Sequence, residues 1–230
     1  MLELTVVIPV YNEEGCIKDV VISWHDTLEK LAIDFNILIL NDGSTDKTIS
    51  ELDYFKNWPR IEIISKKNSG HGPTILQGYH QAVDQARWVF QCDGDNEIKP
   101  DAFVQFWQQR DHFDALMGIR HGRKQNLVRK TISSCSRGIV FMFSGKGVLD
   151  VNVPYRLLRC QTLKKIIQHI PPDTFAPNII ISIALSKSKA RIWQCPVVHQ
   201  SRKTGKVSLN SLKAFRMAFK ALVQTAKCLK

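Results

Sequence analysis

Trp88-Val89-Phe90-Gln91-Cys92, followed by Asp93-Gly94-Asp95-Asn96-Glu97, is an apolar run that stops in a cluster of carboxylates. The run reads as a short buried strand. Carboxylates gathered at a strand end repel one another unless positive charge lies between them. A hard cation such as Mg²⁺ or Mn²⁺ takes oxygen ligands and commonly bridges carboxylates to the phosphates of a substrate. Gly94 lets backbone come close to a ligand. A solvated acidic turn would use the same residue types, so the decision rests on the company this stretch keeps upstream.

That company is a repeated pattern. Leu4 to Val10 is a continuous apolar run ended by Tyr11-Asn12-Glu13-Glu14, with Pro9 suited to a strand end. Asn12 is placed to cap a helix whose apolar positions Ile17, Val20, Val21, Trp24, Leu28 and Leu31 recur at helical spacing. Phe35 to Leu40 is a second buried strand, ended by Asn41-Asp42-Gly43-Ser44-Thr45-Asp46, with Ser44 placed to cap a short helix. Ile61 to Ser65 is a third strand, and a loop runs from Lys66 to Pro73. Pro73 suits the first position of a helix carrying Ile75, Leu76, Tyr79, Ala82, Val83 and Ala86 on one face. Strand and helix patterns alternate, which predicts an α/β sheet. In open parallel sheets ligands sit beyond the carboxyl ends of the strands. Glu13, Asp42, Asp93 and Asp95 therefore gather on one edge.

The 230 residues suffice for one sizeable domain, and 44% apolar content is ordinary for a globular protein. A formal net charge of +11 favours anionic partners: nucleic acid, phosphorylated small molecules or an anionic membrane surface. The six cysteines form no C-x-x-C pair and suggest neither zinc nor a disulfide framework, so reduced thiols in a cytosolic setting are expected. No signal segment and no membrane-spanning apolar run is present.

Val7-Ile8-Pro9-Val10-Tyr11-Asn12-Glu13-Glu14, Asn41-Asp42-Gly43-Ser44-Thr45-Asp46, Asn68-Ser69-Gly70-His71-Gly72 and Asp93-Gly94-Asp95, in that order, resemble the signature of family-2 inverting glycosyltransferases. The resemblance is nearest to the dolichyl-phosphate mannose synthase-like branch and covers about the first 205 residues. It implies a glycosyltransferase A-type, Rossmann-like fold: an α/β, mixed, mostly parallel sheet with helices on both faces. It also implies a nucleotide-sugar donor, GDP- or UDP-linked. The implied donor site comprises Pro9, Tyr11 and Glu13 at the base and ribose, Leu40, Asp42 facing the N–H donors of the base, Gly72 at the diphosphate, Cys92, Asp93, Gly94, Asp95 and Arg202. Gly70 would likewise let backbone amides approach the diphosphate. Asp93 and Asp95 would hold Mg²⁺ or Mn²⁺, with Glu97 a third ligand, and so stabilise charge on the leaving nucleotide.

Downstream, Phe103 to Trp107 reads as a helix and Asp114 to Arg120 as a strand. In the basic segment that follows, Arg123, Lys124 and Lys130 suit a solvated loop. By resemblance, Arg120, Arg129 and Ser133 would hold an acceptor phosphate, for which arginine offers a permanently charged fork. Asp150, ahead of the Tyr155-Arg156 pair, is a candidate catalytic residue, as an acceptor contact or a base. An ionised phosphate acceptor needs little base help, which favours positioning. Pro154 stands where the family has glycine, and Val207-Ser208 where a Ser-Lys pair is more usual. Thr174 to Leu185 suits a helix and Arg191 to Val198 a strand; His199 to Lys206 resembles the branch's mobile donor-facing loop.

Residues 208–230 place Leu212, Phe215, Phe219, Leu222 and Val223 on one helical face beside Lys213, Arg216 and Lys220. This stripe suits either packing on the domain or an interfacial helix on anionic lipid. The expectation is thus a catalytic domain over 1–207 and an amphipathic basic helix over 208–230. Its acceptor would be a polyprenyl (dolichyl or undecaprenyl) phosphate met at the cytosolic membrane face, directly or through a membrane-embedded partner. Its rivals are a soluble transferase acting on a saccharide or lipid head group, and a non-catalytic nucleotide-sugar-binding module. Nucleic acid is not expected, because no nucleic-acid motif is present and the strand-end loops are acidic.

Overall fold

The computed structural model describes residues 1–121 and 148–200. Arg129, Ser133, Arg202 and the expected helix over 208–230 lie outside the described residues. Seven strands form one sheet in the order β3-β2-β1-β4-β6-β5-β7: β1 Leu2–Val10, β2 Phe35–Asn41, β3 Ile61–Ser65, β4 Ala86–Cys92, β5 Ala115–His121, β6 Tyr155–Arg159 and β7 Ile192–Val198. The helices are α1 Ile17–Lys30, α2 Thr48–Leu52, α3 His71–Gln85, α4 Phe103–Gln109, α5 Cys160–Ile167 and α6 Pro177–Lys187.

Strands β1 to β4 pair in parallel; β1, β2 and β4 are buried, mostly apolar runs because both faces are covered, whereas the edge strand β3 is only partly buried. The chain winds outward from β1 to β2 and β3, then returns through α3 to pair β4 on the other side of β1. The order reverses there, and the crevice outside the ends of β1 and β4 is the switch point of the sheet. Strand β6 enters antiparallel between β4 and β5, with Gln91 opposite Arg156, so the sheet is mixed.

Adjacent residues of β4 show that helices cover both faces, since successive side chains point oppositely. Phe90 packs on Trp24 of α1, Phe103 of α4 and Tyr155. Gln91, on the other face, accepts from Tyr79 of α3 at 2.7 Å and from Asn178 of α6 at 3.0 Å.

Two expected caps are corrected. Helix α1 begins at Ile17 rather than after Asn12, because the amides of residues 12–15 are taken by the segment that leads into and through α2. Asn12 N–H donates to Ser44 Oγ at 3.0 Å, Glu13 N–H to Thr48 Oγ1 at 2.8 Å, and Gly15 N–H to Glu51 Oε1 at 2.8 Å. Asn12 itself sits at φ 56°, and its side-chain oxygen accepts from Thr45 N–H at 2.8 Å. Ser44 therefore clasps the first loop instead of capping α2, and Asp46 Oδ1 accepts the Thr48 amide at 3.0 Å. Helix α3 starts at His71, so Pro73 falls third in its first turn, where its missing N–H still costs no helical bond.

Candidate functional site

Four strand ends converge on one pocket of about 330 Å³. Its lining comes from Pro9 and Val10 at the end of β1 with Tyr11 and Glu13 beyond it, Asp42 after β2, Asn68, Gly70, His71 and Thr74 after β3, and Asp93, Gly94 and Asp95 after β4. The pocket lies at the switch point, and its lining combines the aromatic Tyr11 with the carboxylates Glu13, Asp42, Asp93 and Asp95. Tyr11 lines the pocket and is 47% exposed, an aromatic side chain available to a ligand there.

Asp42 is only 3% exposed and organises the loop after β3. Its carboxylate accepts from Lys66 Nζ, from Ser69 N–H at 2.8 Å and from Gly70 N–H at 2.8 Å. Burial works against the charge, but the Lys66 hydrogen bond and the two amides outweigh it and hold Asp42 below the usual carboxylate range. Asp42 is thus a preorganised carboxylate whose loop forms one pocket wall. Lys66, Asn68, His71 and Thr74 were not singled out in the sequence as site residues. Lys66 meets Asp42 across 24 positions, from the end of the neighbouring strand, and no local pattern signals it.

The acidic wall is held by local contacts. Asp95 Oδ1 accepts the Glu97 amide at 3.1 Å, and the Cys16 thiol lies 3.5 Å from the Gly94 carbonyl. A Cβ on Gly94 would meet Ile17 Cδ1 and Val10 Cγ2 at 3.2 Å, so glycine keeps this turn pressed onto β1 and α1. Enclosure and the Asp95 carboxylate, with Glu97 and Glu13 beyond, push Asp93 well above the ordinary carboxylate range; Arg120 pulls it back. Asp93 Oδ1 is buried without a hydrogen-bond partner, and His71 Nε2 stands 3.8 Å from it. An orphaned carboxylate oxygen beside further carboxylates fits a divalent cation. Among the described residues no three His, Cys, Asp or Glu side chains form a ready cage. That suits a cation held by one or two carboxylates together with substrate phosphates.

On the far side of the acidic turn, Asp150 grips Arg120. Arg120 Nε donates to Asp150 Oδ2 and Nη2 to Oδ1, both at 2.7 Å, and the Arg120 amide reaches Oδ2 at 3.3 Å. Burial opposes the Asp150 charge, yet the Arg120 bonds hold it below the usual range. Glu97 Oε2 lies 2.8 Å from His199 Nε2.

The structure gives other reasons for three further residues. Leu40 and Cys92 are 0% and 1% exposed in the strand interiors and do not line the pocket. Gly72 is where α3 meets the 174–175 backbone: a Cβ there would fall 2.2 Å from the Phe175 carbonyl oxygen. No helix of the described residues is long and apolar enough to cross a membrane.

The family profile for glycosyl transferase family 2 matches residues 5–170. Undecaprenyl-phosphate 4-deoxy-4-formamido-L-arabinose transferase of Edwardsiella ictaluri (strain 93-146) is 22% identical over 94% of this chain. The chain spans 66% of that relative's length. Among solved structures, glucosyl-3-phosphoglycerate synthase from Mycobacterium tuberculosis, in complex with Mn²⁺, UDP and phosphoglyceric acid, superposes with a TM-score of 0.70. It is 15% identical and aligns over 97% of this chain and 78% of its own. S. aureus TarS in complex with UDP-GlcNAc gives 0.61 at 17% identity, over 97% of this chain and 72% of its own. The sheet is of the glycosyltransferase A type that these neighbours share. With the profile covering most of its length and its four strand-end loops, three of them acidic, closing on one pocket, this chain belongs to glycosyl transferase family 2.

Proposed function

We propose that this chain transfers a glycosyl group from a nucleotide sugar to a phosphate acceptor, with a polyprenyl phosphate the favoured acceptor. The observation that carries the reading is the pocket at the switch point, which joins the exposed Tyr11, the preorganised Asp42 and the acidic pair Asp93 and Asp95. A nucleotide sugar has a planar base for the aromatic end and a diphosphate for the acidic end. The relatives' names support this reading: neighbours of the same fold are in complex with UDP or UDP-GlcNAc, and the relative from Edwardsiella is an undecaprenyl-phosphate transferase.

The reaction is a direct displacement with inversion. An acceptor oxygen attacks the anomeric carbon opposite the departing diphosphate, a new C–O bond forms, and the nucleoside diphosphate leaves with the electron pair. Asp93 and Asp95, with Glu97 as a further ligand, would hold Mg²⁺ or Mn²⁺, which would supply positive charge at the leaving diphosphate. Tyr11 and Glu13 orient the nucleoside, and Asp42 fixes the loop that walls it. An acceptor phosphate is already ionised at neutral pH, so Asp150 orients Arg120 instead of taking a proton. Arg120, with Arg129 and Ser133, holds that phosphate. Work at a membrane surface falls to residues 208–230.

The experiment is transfer to labelled polyprenyl phosphate from a panel of GDP- and UDP-sugars, with and without Mn²⁺. Product from one donor, dependent on the cation, is expected. A second reading has a specific observation behind it: one structural neighbour is in complex with phosphoglyceric acid. Transfer to a small phosphorylated acid or to a saccharide, with none to the lipid, would replace the acceptor. Donor binding without any transfer would make the chain a binding module, against which both Asp93 and Asp95 stand.

A further inference from the structure

We propose that Arg156, buried behind the acidic wall, is a positioning residue that fixes the turn at residues 150–153 and thereby aims Arg120. Arg156 is 0% exposed. A buried guanidinium usually meets a carboxylate, since an unpaired charge away from water is costly. The hydrogen bonds of Arg156 go instead to backbone carbonyls: Nη2 to Val151 O at 2.8 Å, Nε to Val153 O at 3.0 Å and Nη1 to Asn178 O at 3.4 Å. Two of these three carbonyls belong to the short turn that carries Asp150.

That turn has a defined task. The Val153 amide donates to the Asp150 carbonyl at 3.3 Å, and the Leu149 amide donates to Gln194 Oε1 of β7 at 2.7 Å. Held so, the Asp150 carboxylate fills the Nε–Nη2 side of the Arg120 fork. That two-pronged grip sets the plane and direction of the Arg120 guanidinium. The chain of contact runs from Arg156 through two carbonyls to Asp150 and then to Arg120, whose charge already reaches Asp93. Lysine cannot replace Arg156 in this part, because one ammonium on a flexible stem does not hold three carbonyls in fixed directions. The acceptor consequence rests on the function proposed above; the geometric consequence does not.

The test separates the two. Full-length ¹⁵N-labelled protein reports the Arg120 Nε–H resonance, assigned by its loss in Arg120→Lys. It is expected to exchange slowly with water in the parent and rapidly in both Asp150→Asn and Arg156→Lys. In steady-state assays with a short-chain polyprenyl phosphate, both variants are expected to raise acceptor KM about tenfold or more, the scale of a displaced positioning group. Donor KM should stay within about twofold, and the double variant should be no worse than the poorer single, as for residues acting in one chain. An Arg156→Lys protein that folds and keeps a protected Arg120 Nε–H overturns the proposal, as does additivity in the double variant. Unfolding of both Arg156→Lys and Arg156→Gln overturns it too, by making Arg156 a residue of the core alone. If the parent transfers no sugar, the functional reading fails while the Arg120 resonance still decides the positioning.

Discussion

His199 Nε2 lies 2.8 Å from Glu97 Oε2, and the Gln200 amide donates to the Glu97 carbonyl at 2.8 Å. The acidic turn after β4 is thereby fastened to the chain leaving β7. The Glu97 carboxylate meets the His199 ring, and in the function proposed above it would also meet a cation. Glu97→Gln is expected to lose about 1.5–3 kcal/mol of stability, as for a hydrogen bond to a charged group. It should keep cation-dependent transfer at a reduced rate. Asp95→Asn should leave the melting temperature near that of the parent but cut transfer by about 100-fold or more, the scale of losing an electrostatic stabiliser. Melting curves and rates against Mn²⁺ concentration check both. Near-normal turnover in Asp95→Asn with its metal dependence intact would defeat the metal assignment.

The Asp150–Arg120 pair predicts a pH signature. Asp150 is held below its ordinary range in the folded chain, so its contribution is present above the unfolded carboxylate value of about 3.9 and is lost as pH falls through the folded value. Arg120→Ala removes the partner. The melting-temperature gap between parent and variant should be widest at neutral pH and close below about pH 4. A gap independent of pH would show that the pair contributes by packing alone.

Gly70 and Gly72, two residues apart, are glycines for different reasons. Gly70 caps α3 at φ 94° and ψ 162°, a region that only glycine adopts freely, with open space at its Cβ position. Gly72 lacks room, with two carbonyl oxygens within 2.4 Å of a Cβ. Both alanine variants should lose about 1–3 kcal/mol, one by backbone strain and one by overpacking. The amide of Gly70 bonds Asp42 inside the pocket, so Gly70→Ala should also weaken nucleotide binding, measured by calorimetry. Gly72→Ala, at temperatures where it remains folded, should bind nucleotide nearly as the parent does. Equal loss of affinity in both would contradict this division.

The strands from β1 to β4 were legible because each is a short run, mostly apolar, between turn clusters, from Leu4–Val10 to Trp88–Cys92. Helix starts were less so. Asn12 and Ser44 are both good capping residues, but each found a partner across the two loops, and that contact is between segments more than 30 residues apart in the chain. Strand β6 was hidden inside a motif: Tyr155-Arg156-Leu157-Leu158 was read for its aromatic-arginine pair, and nothing local reveals that Arg156 points into the protein. The pocket wall from Asn68 to Thr74 was only half visible, because Lys66 matters through Asp42 and not through its neighbours in sequence. The pairing of Asp150 with Arg120 spans 30 positions, and spacing alone does not suggest it.

Residues 208–230, outside the described part of the chain, carry a prediction from sequence alone. Each basic side chain near an anionic surface is worth about 1 kcal/mol, so Lys213, Arg216 and Lys220 beside Phe215 and Phe219 should bind anionic vesicles. Binding should weaken as salt rises. Truncation after Val207 should abolish co-sedimentation with little change in melting temperature. Unchanged vesicle binding after truncation, or an unfolded product, would assign the stripe to other work.

The last expectation sets function against stability at Asp93. Its Oδ1 is buried without a hydrogen-bond partner, and Asp95, Glu97 and Glu13 surround it with like charge. The folded chain therefore holds a proton on Asp93 more tightly than the unfolded chain does. Between the unfolded carboxylate value of about 3.9 and its raised folded value, the native state binds more protons, so stability falls as pH rises. Asp93→Asn keeps the shape and removes the charge. It should melt higher than the parent at neutral pH without added metal, and the gain should shrink as pH drops and vanish below about 4, where Asp93 becomes protonated in both states. Mn²⁺ with a nucleoside diphosphate should raise the melting temperature of the parent and leave the variant unmoved, because ligand stabilises only the form that binds it. The variant should at the same time be nearly inactive. A melting temperature at or below that of the metal-free parent would mean that the carboxylate is stabilised by contacts its geometry does not display, and that the acidic wall carries no strain for a cation to relieve.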